Sequence, residues 1–376
     1  MKWSSINPKR IVRRMLAALS ALAIAACLAL PAAAVADETQ QESEEELVKI
    51  ETPTVTKVVW DGTAFVKAAD AAAGEAVWYQ VTGTLPSNLE EFSLYAYEFH
   101  DYLDEALVVD LASVSVELMR NGEAIEDVTS LFEINLEKAN GNWELVVAAS
   151  DIESTDTVVL SYAVSIDASA AQAGTELGNY AYIRYTSKPF TNAYGRSVED
   201  SASLYTWQLV LAKEDADTFL ELDGAKFTIQ NEDGLWVSED GTLSDVEIVL
   251  ETNCLGLLYV ETLDAGVYTV TEVEAPAGYQ TVDSFELVVS ADLSGASPTL
   301  SAAASSSDVE ISVSAESGTI FLTVLDEEST TARLLVKTGD ALMRIWPAVA
   351  AVAVLAGCGI VGALVARRRA ARRSGE

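Results

Sequence analysis

Short apolar runs with a period of two dominate residues 55–325 and limit the possible fold more than any other feature. Runs rich in Val, Thr, Tyr and Ile alternate with Gly, Asn, Asp and Ser, which favour turns. The clearest runs are 77–81, 92–99, 158–164, 180–185, 204–211, 267–273 and 320–325. No helical period is sustained between them. Many short strands separated by turns predict an all-β fold of antiparallel β-sandwiches.

The predicted strands are enough for two domains of ordinary size. In the run 204–211, the last strand of one domain would continue into the first strand of the next. We therefore expect one β-sandwich over 51–206 and a second over 207–328. Residues 37–50 are acidic and rich in Gln and Ser, which predicts a disordered leader. The Ser/Ala-rich stretch 294–308 predicts a long loop.

Three strands of the predicted second domain each carry one ionisable group on their apolar face. Alternation along the strand places Lys213 with a Trp and two Leu residues, Glu272 with Tyr and Val, and Asp326 with Ile, Leu and Val. A lone buried charge costs several kcal/mol, so such groups are expected only where they are paired or react. The alternative interpretation is a buried salt bridge between Lys213 and Glu272, with Asp326 at the rim.

The predicted first domain repeats this pattern. Lys57 alternates with two Val residues, Asp101 shares a face with three aromatic residues, and Asn179 lies on the face of Leu, Ala and Ile. These three residues are therefore candidates for a second core-facing cluster. The alternative is that they are ordinary polar residues at strand ends.

The composition excludes some partners and some chemistry. Residues 37–338 hold twelve basic and 56 acidic residues, a charge near −44 that repels phosphate backbones. Nucleic acid is therefore not an expected partner. Of the three cysteines, Cys27 and Cys358 lie in apolar terminal segments, which leaves Cys254 without an internal disulfide partner. If the domains are covalently stapled, a bond other than an internal disulfide must do it.

The N-terminus has the pattern of a secretory signal peptide over residues 1–36. Five Lys and Arg residues precede an apolar stretch that begins at Met15, and small residues at Ala34 and Ala36 precede Asp37. Cys27 also fits a lipoprotein processing site. However, the residues after it stay apolar, and a lipoprotein would not need a second anchor.

The C-terminus has the pattern of a membrane anchor. The 22 apolar residues 345–366 are enough to cross a bilayer as a helix, and the tail 367–376 contains five arginines. Basic residues remain in the cytoplasm, so the rest of the chain is expected outside the cell. An ordinary single-span anchor is one interpretation of this segment.

The residues before the apolar span suggest a more specific interpretation of the C-terminus. Leu335, Val336, Lys337, Thr338 and Gly339, followed by an apolar span and a basic tail, resemble the cell-wall sorting signal of Gram-positive surface proteins. Val336 stands where that signal has proline. The resemblance implies that a sortase cuts between Thr338 and Gly339 and joins Thr338 to cell-wall peptidoglycan or to a neighbouring pilin subunit.

Motifs in the two domains resemble known pilin modules. Segments 222–229 (LDGAKFTI), 263–272 (LDAGVYTVTE) and 275–279 (APAGY) resemble the collagen-adhesin B-type (Cna-B) domain of pilins and adhesins. Residues 50–206 resemble the isopeptide-forming fimbrial domain. The motifs that carry this second resemblance are TGTLP at 82–86, FHD at 99–101 and GNYA at 178–181.

The resemblance implies immunoglobulin-like sandwiches that form internal isopeptide bonds. In the second domain Lys213 would join Asp326 with Glu272 assisting. In the first domain Lys57 would join Asn179 with Asp101 assisting. Each bond would form once, so the chain is not expected to be an enzyme, and it needs no cofactor or metal.

The sequence therefore predicts a sortase-anchored pilin or pilin-like protein with a structural and adhesive role at the cell surface. The alternative is a stand-alone wall- or membrane-anchored adhesin that does not polymerise, because the Tyr-Pro-Lys motif of backbone pilins does not occur in the sequence. A surface hydrolase has little support, since His100 is the only histidine and lies in no nucleophile motif. A possible host or matrix ligand stays unknown.

Overall fold

The computed structural model describes residues 51–120, 123–139, 142–149 and 157–329. The predicted signal peptide (1–36), acidic leader (37–50), sorting motif, apolar span (345–366) and basic tail (367–376) lie outside the described residues. Among the residues that are described, no helix is long and apolar enough to cross a membrane.

The first half of the described chain forms two β-sheets packed face to face. Its strands are β1 (Val55–Trp60), β2 (Phe65–Val66), β3 (Ala68–Asp70), β4 (Val77–Gly83), β5 (Tyr97–Leu103), β6 (Leu107–Arg120), β7 (Glu123–Asp127), β8 (Glu133–Ala139), β9 (Asn142–Ala149), β10 (Thr157–Ile166), β11 (Leu177–Thr186), β12 (Tyr194–Arg196) and β13 (Asp200–Tyr205). Two 3₁₀ helices, Leu89–Glu91 and Thr129–Leu131, lie between strands.

One sheet of this first sandwich has the order β2-β1-β4-β10-β6-β7, and the other has the order β3-β13-β11-β5-β9-β8, with β12 paired to β11. Neighbouring strands are antiparallel except for the short parallel pair β3–β13. The inward side chains alternate with outward ones along each strand, and the central strands therefore bury every second residue.

The second half forms another pair of sheets. Its strands are β14 (Trp207–Asp215), β15 (Lys226–Gln230), β16 (Trp236–Val237), β17 (Leu243–Ser244), β18 (Leu250–Glu251), β19 (Leu257–Leu263), β20 (Gly266–Glu274), β21 (Phe285–Asp292), β22 (Thr299–Ala304), β23 (Val309–Ser314) and β24 (Thr319–Asp326). One sheet has the order β19-β14-β24-β23, and the other the order β17-β16-β15-β20-β21-β22, with β18 paired to β15.

Each sandwich encloses its own apolar core. The largest fully buried side chains are mostly aromatic in both cores: Tyr79, Tyr97, Phe99 and Tyr162 in the first, and Trp207, Phe227 and Tyr268 in the second. The all-β fold expected from the period-two runs is confirmed. Two lysines, Lys57 and Lys213, are as deeply buried as these rings.

Hydrogen bonds join the two sandwiches at a junction next to Tyr205 and Trp207. The Asp70 carboxylate accepts hydrogen bonds from the Trp207 indole at 2.6 Å and from the Ala265 amide at 2.7 Å. The Ala73 amide donates to Thr262 Oγ1 at 3.0 Å. One carboxylate from the first sandwich thus binds two groups of the second.

Two local expectations were wrong. The strand expected at 92–99 begins only at Tyr97, after the 3₁₀ turn Leu89–Glu91. The run 204–211 divides into two strands at Thr206, within the stretch where one domain was expected to pass into the next. The loop expected at 294–308 contains β22, where Ser and Ala pair with β21 despite their weak preference for strands.

Candidate functional site

The first sandwich brings Lys57, Asp101 and Asn179 together in its core. Each lies inside a strand (β1, β5 and β11), at least two residues from its end, and each is fully buried. Lys57 comes from one sheet, whereas Asp101 and Asn179 lie on neighbouring strands of the other sheet, where Asp101 is opposite Ala181 and Asn179 is opposite Leu103. The alternative that these are strand-end polar residues is therefore wrong.

Lys57 forms a close ion pair with Asp101. Its Nζ atom lies 2.8 Å from Oδ1 and 2.6 Å from Oδ2 of the carboxylate. Burial lowers the pKa of Lys57 to about 8, although the charge of Asp101 opposes this shift. A lysine with such a pKa has a substantial neutral fraction near physiological pH, and a neutral amine is the nucleophilic form.

Tyr162, which the sequence did not single out, lies at the centre of this cluster. Its hydroxyl accepts a hydrogen bond from Lys57 Nζ at 2.8 Å and donates to Asp101 Oδ2 at 2.6 Å. It also accepts from Asn179 Nδ2 at 2.9 Å. The only signal in the sequence is that Tyr162 falls on the apolar face of the run 158–164, where a tyrosine looks like any core residue.

The carbonyl oxygen of the Asn179 amide is buried, and no other described group bonds to it. An unsatisfied buried acceptor costs about 1–3 kcal/mol, so native structures rarely leave one. The Asn179 amide therefore keeps a buried carbonyl oxygen without a hydrogen bond from the described residues, while its nitrogen contacts Tyr162.

The second sandwich brings Lys213, Asp326 and Glu272 together. Lys213 on β14 and Asp326 on β24 come from adjacent parallel strands, with Lys213 opposite Val324 in the register. Glu272 lies on β20 of the facing sheet. Lys213 and Asp326 are fully buried, and Glu272 is nearly so.

The lysine and the aspartate of this cluster are in direct contact. Lys213 Nζ lies 2.5 Å from Asp326 Oδ1 and donates a hydrogen bond to the Val324 carbonyl at 3.2 Å. Although this contact is short, neither Asp326 oxygen accepts a regular hydrogen bond from the described residues. The alternative of Asp326 at the rim is wrong, because this carboxyl is fully enclosed.

Glu272 completes the second cluster. Its Oε2 atom accepts a hydrogen bond from the Val282 amide at 2.9 Å, while Oε1 has no partner in the described part of the chain. Burial raises the pKa of Glu272 to about 7. Burial also raises the pKa of Asp326, although Lys213 opposes that shift. Burial thus shifts both carboxyls of this cluster toward their protonated forms.

The segment 275–279 fixes the end of β14 close to this cluster. The Tyr279 hydroxyl donates to Asp215 Oδ2 at 2.8 Å, and the Tyr279 amide closes a turn on the Pro276 carbonyl at 3.0 Å. Gly278 has a φ of +96°, a conformation that side-chain-bearing residues rarely adopt. The motif that the sequence shares with Cna-B domains therefore holds the strand that carries Lys213.

Other chemistry has no site in the described ranges. His100 lies on the outer face of β5, opposite to Asp101, and its ring contacts Glu144 at 2.7 Å and Glu98 at 2.9 Å. It therefore does not act with Asp101. No group of three metal-ligating side chains occurs among the described residues. Leu335, Val336, Lys337, Thr338 and Gly339 lie outside them.

Comparison with known proteins connects this fold to pilins. Residues 208–301 match the family model of the SpaA prealbumin-like fold domain. The trypsin-resistant surface T6 protein of Streptococcus pyogenes serotype M6 is 24% identical over 254 residues, which cover 63% of this chain and 45% of that protein. The chain resembles Gram-positive pilins.

Solved structures show the same resemblance in fold. The group B streptococcus pilus 2b backbone protein superposes with a TM-score of 0.52 and 18% identity, over 74% of this chain and 99% of that one. A C-terminal fragment of a major pilin of Streptococcus agalactiae superposes with a TM-score of 0.52 and 17% identity, over 63% of this chain and 90% of that fragment. The resemblance to Gram-positive pilins seen in the sequence is thereby confirmed, and the chain spans less than half of the T6 protein.

Proposed function

We propose that this chain is a structural and adhesive pilin subunit, or a pilin-like surface protein, whose two sandwiches are closed by internal isopeptide bonds. Lys57 would join Asn179 in the first sandwich, and Lys213 would join Asp326 in the second. The observation that carries the proposal is that each core buries a lysine together with a carboxyl or amide whose oxygen accepts no regular hydrogen bond from the described residues.

In the first sandwich the reaction would release ammonia. Lys57 gives a proton to Asp101 and becomes a neutral amine, and its Nζ atom then attacks Asn179 Cγ. The Cγ–Nδ2 bond breaks, and an Nζ–Cγ amide remains. Folding supplies the proximity of the two groups, which in well-oriented intramolecular reactions removes roughly 7–11 kcal/mol of barrier.

In the second sandwich the reaction would release water. Lys213 Nζ attacks Asp326 Cγ, and one carboxyl oxygen leaves with two protons. Glu272, with a pKa of about 7, is able both to donate and to accept a proton at neutral pH. Its unpartnered Oε1 atom is the group available for this exchange.

The two bonds would have different mechanical effects. A Lys57–Asn179 bond would join the two sheets of the first sandwich across its core. A Lys213–Asp326 bond would join the first and last strands of the second sandwich and close a loop of more than a hundred residues. In the chain-entropy model for disulfides such a loop stabilises the fold by about 4–5 kcal/mol. An amide, unlike a disulfide, also resists reduction.

The same proposal includes sortase as the enzyme that attaches the chain. Thr338 would become linked to cell-wall peptidoglycan or to a neighbouring pilin subunit after cleavage before Gly339. The resemblance to Gram-positive pilins supports a location at the cell surface. A chain that is covalently attached at one end is under tension when it binds a partner. The internal isopeptide bonds would then carry this tension through each domain.

Peptide mapping of the chain purified after secretion tests the bonds. We expect two branched peptides, one with Lys57 joined to Asn179 and one with Lys213 joined to Asp326. Lys67→Arg and Lys226→Arg are the matched controls, because these lysines are partly exposed and lie on the same two sandwiches. Branched peptides that persist in Lys57→Arg and Lys213→Arg would show that the residues are assigned wrongly.

A further inference from the structure

The hydroxyl of Tyr162 contacts all three residues of the first cluster. Its hydrogen bonds to Lys57 Nζ, Asp101 Oδ2 and Asn179 Nδ2 are 2.8, 2.6 and 2.9 Å long, and the side chain is fully buried. A buried phenol needs one partner to be satisfied. This one has three, and all of them belong to the proposed reaction.

The hydrogen-bond inventory of a phenol determines how the Asn179 amide is oriented. A phenol has one proton, and here it is donated to Asp101, so the remaining lone pairs can only accept. The amide must therefore present its NH₂ group to Tyr162. The leaving nitrogen faces the phenol, and the carbonyl oxygen has no partner among the described residues.

We propose that Tyr162 is a catalytic residue of the first sandwich that carries a proton to the leaving amide nitrogen. This role rests on the proposed Lys57–Asn179 bond. An amide nitrogen is a poor leaving group until it is protonated, and among the contacts described above the phenol is the group that touches it.

The proton transfer balances as follows. Asp101 first takes one proton from the Lys57 ammonium, and the neutral Nζ atom then attacks Asn179 Cγ. The phenol gives its proton to Nδ2 and receives the one held by Asp101, while Asp101 takes a second proton from Nζ. The Cγ–Nδ2 bond breaks, ammonia leaves, and the phenol is neutral again. Burial raises the pKa of Tyr162 well above its usual range, which keeps the phenol protonated before and after the transfer.

The neighbouring Tyr79 is a matched control in the same core. It is also fully buried, it stacks on Tyr162 with ring centres 5.8 Å apart, and Lys57 Nζ lies 5.0 Å from its ring. Its hydroxyl, however, has no hydrogen-bond partner in the described part of the chain. Tyr79→Phe therefore removes a buried hydroxyl that makes no regular hydrogen bond with the described residues, from a ring that also lies close to Lys57.

The experiment measures the rate of each mass loss in the full chain after a short pulse of expression, by denaturing intact-mass spectrometry at successive times. A positioned acid or base contributes about 100-fold or more to a rate. We expect Tyr162→Phe to slow the loss of ammonia by about that factor, with Tyr79→Phe at the wild-type rate. The loss of water reports that the second sandwich has folded and should not change.

A second variant, with a fluorinated tyrosine at position 162, tests the same role if Tyr162→Phe misfolds. It keeps the shape and the hydroxyl but is a stronger acid, so the loss of ammonia should become faster. An unchanged rate in both Tyr162 variants would overturn the role of Tyr162 while leaving the Lys57–Asn179 bond in place. Failure of the wild-type chain to lose ammonia would overturn the bond itself.

Discussion

At the scale of single residues, burial sets the protonation of the groups that define this chain. Burial lowers the pKa of Lys57 to about 8 and raises the pKa of Glu272 to about 7. Glu75, at the junction of the two sandwiches, shows the same effect outside the two clusters. Burial raises its pKa to about 7, and the charges of Asp264, Asp70 and Asp233 add to this shift.

We predict that Glu75 makes the stability of the chain depend on pH. A carboxyl whose pKa is higher in the folded state contributes its full stabilisation below its usual pKa of 4.5 and loses it as the pH rises through about 7. The melting temperature should therefore fall between pH 5 and pH 8 in the wild type, and less so in Glu75→Gln. Glu90→Gln, at an exposed position, is the control. Equal pH dependence in all three proteins would contradict this role.

At the scale of strands, the period-two alternation of apolar and polar residues made the two clusters predictable. Features that leave no signal in this alternation could not be predicted from it. The six residues of the two clusters were predictable because each breaks an apolar face with a period of two. Tyr162 could not be found this way, since a tyrosine on an apolar face breaks no pattern. The strand Thr299–Ala304 was also missed, because its Ser and Ala residues are strand-forming only through their pairing with Phe285–Asp292.

The strands Trp207–Asp215 and Thr319–Asp326 are paired and carry Lys213 and Asp326. Glu272 is proposed to assist the bond between these two residues, which leads to a prediction. Glu272→Gln keeps the shape of the side chain but cannot exchange protons, so the second bond should not form. The second sandwich should then lose up to about 4–5 kcal/mol of stability, measured by chemical denaturation. Glu274→Gln is the control, because Glu274 lies on the same strand and binds Lys226 at the surface. A bond formed at the normal rate in Glu272→Gln would contradict the assisting role.

At the scale of the whole molecule, covalent closure and covalent anchoring would act together. Two sandwiches joined by hydrogen bonds at their junction would each be closed by an amide, and residues 335–339 would join the chain to the wall. Tension from a bound partner would then be carried by covalent bonds through both domains. The charge near −44 between residues 37 and 338 would keep such an exposed chain soluble.

We predict that Val336 slows the anchoring step. Proline at this position fixes φ for binding to the sortase, whereas valine favours an extended strand. Val336→Pro should therefore speed the appearance of the protein in cell-wall fractions released by muralytic enzymes, with Thr338 as the terminal residue. Val336→Ala, which removes the branched side chain without fixing φ, should not. Recovery of the whole chain by detergent alone would show a plain membrane anchor instead.

The intact mass of the secreted chain tests the central claim most directly. The two bonds predict a mass that is lower than the sequence mass by one ammonia and one water. Asn179→Ala should show the loss of water alone, and Glu272→Gln the loss of ammonia alone. Asn135→Ala, at an exposed position of the first sandwich, should show both losses. A wild-type chain with the full mass of its sequence would contradict the claim that its two buried lysines form isopeptide bonds.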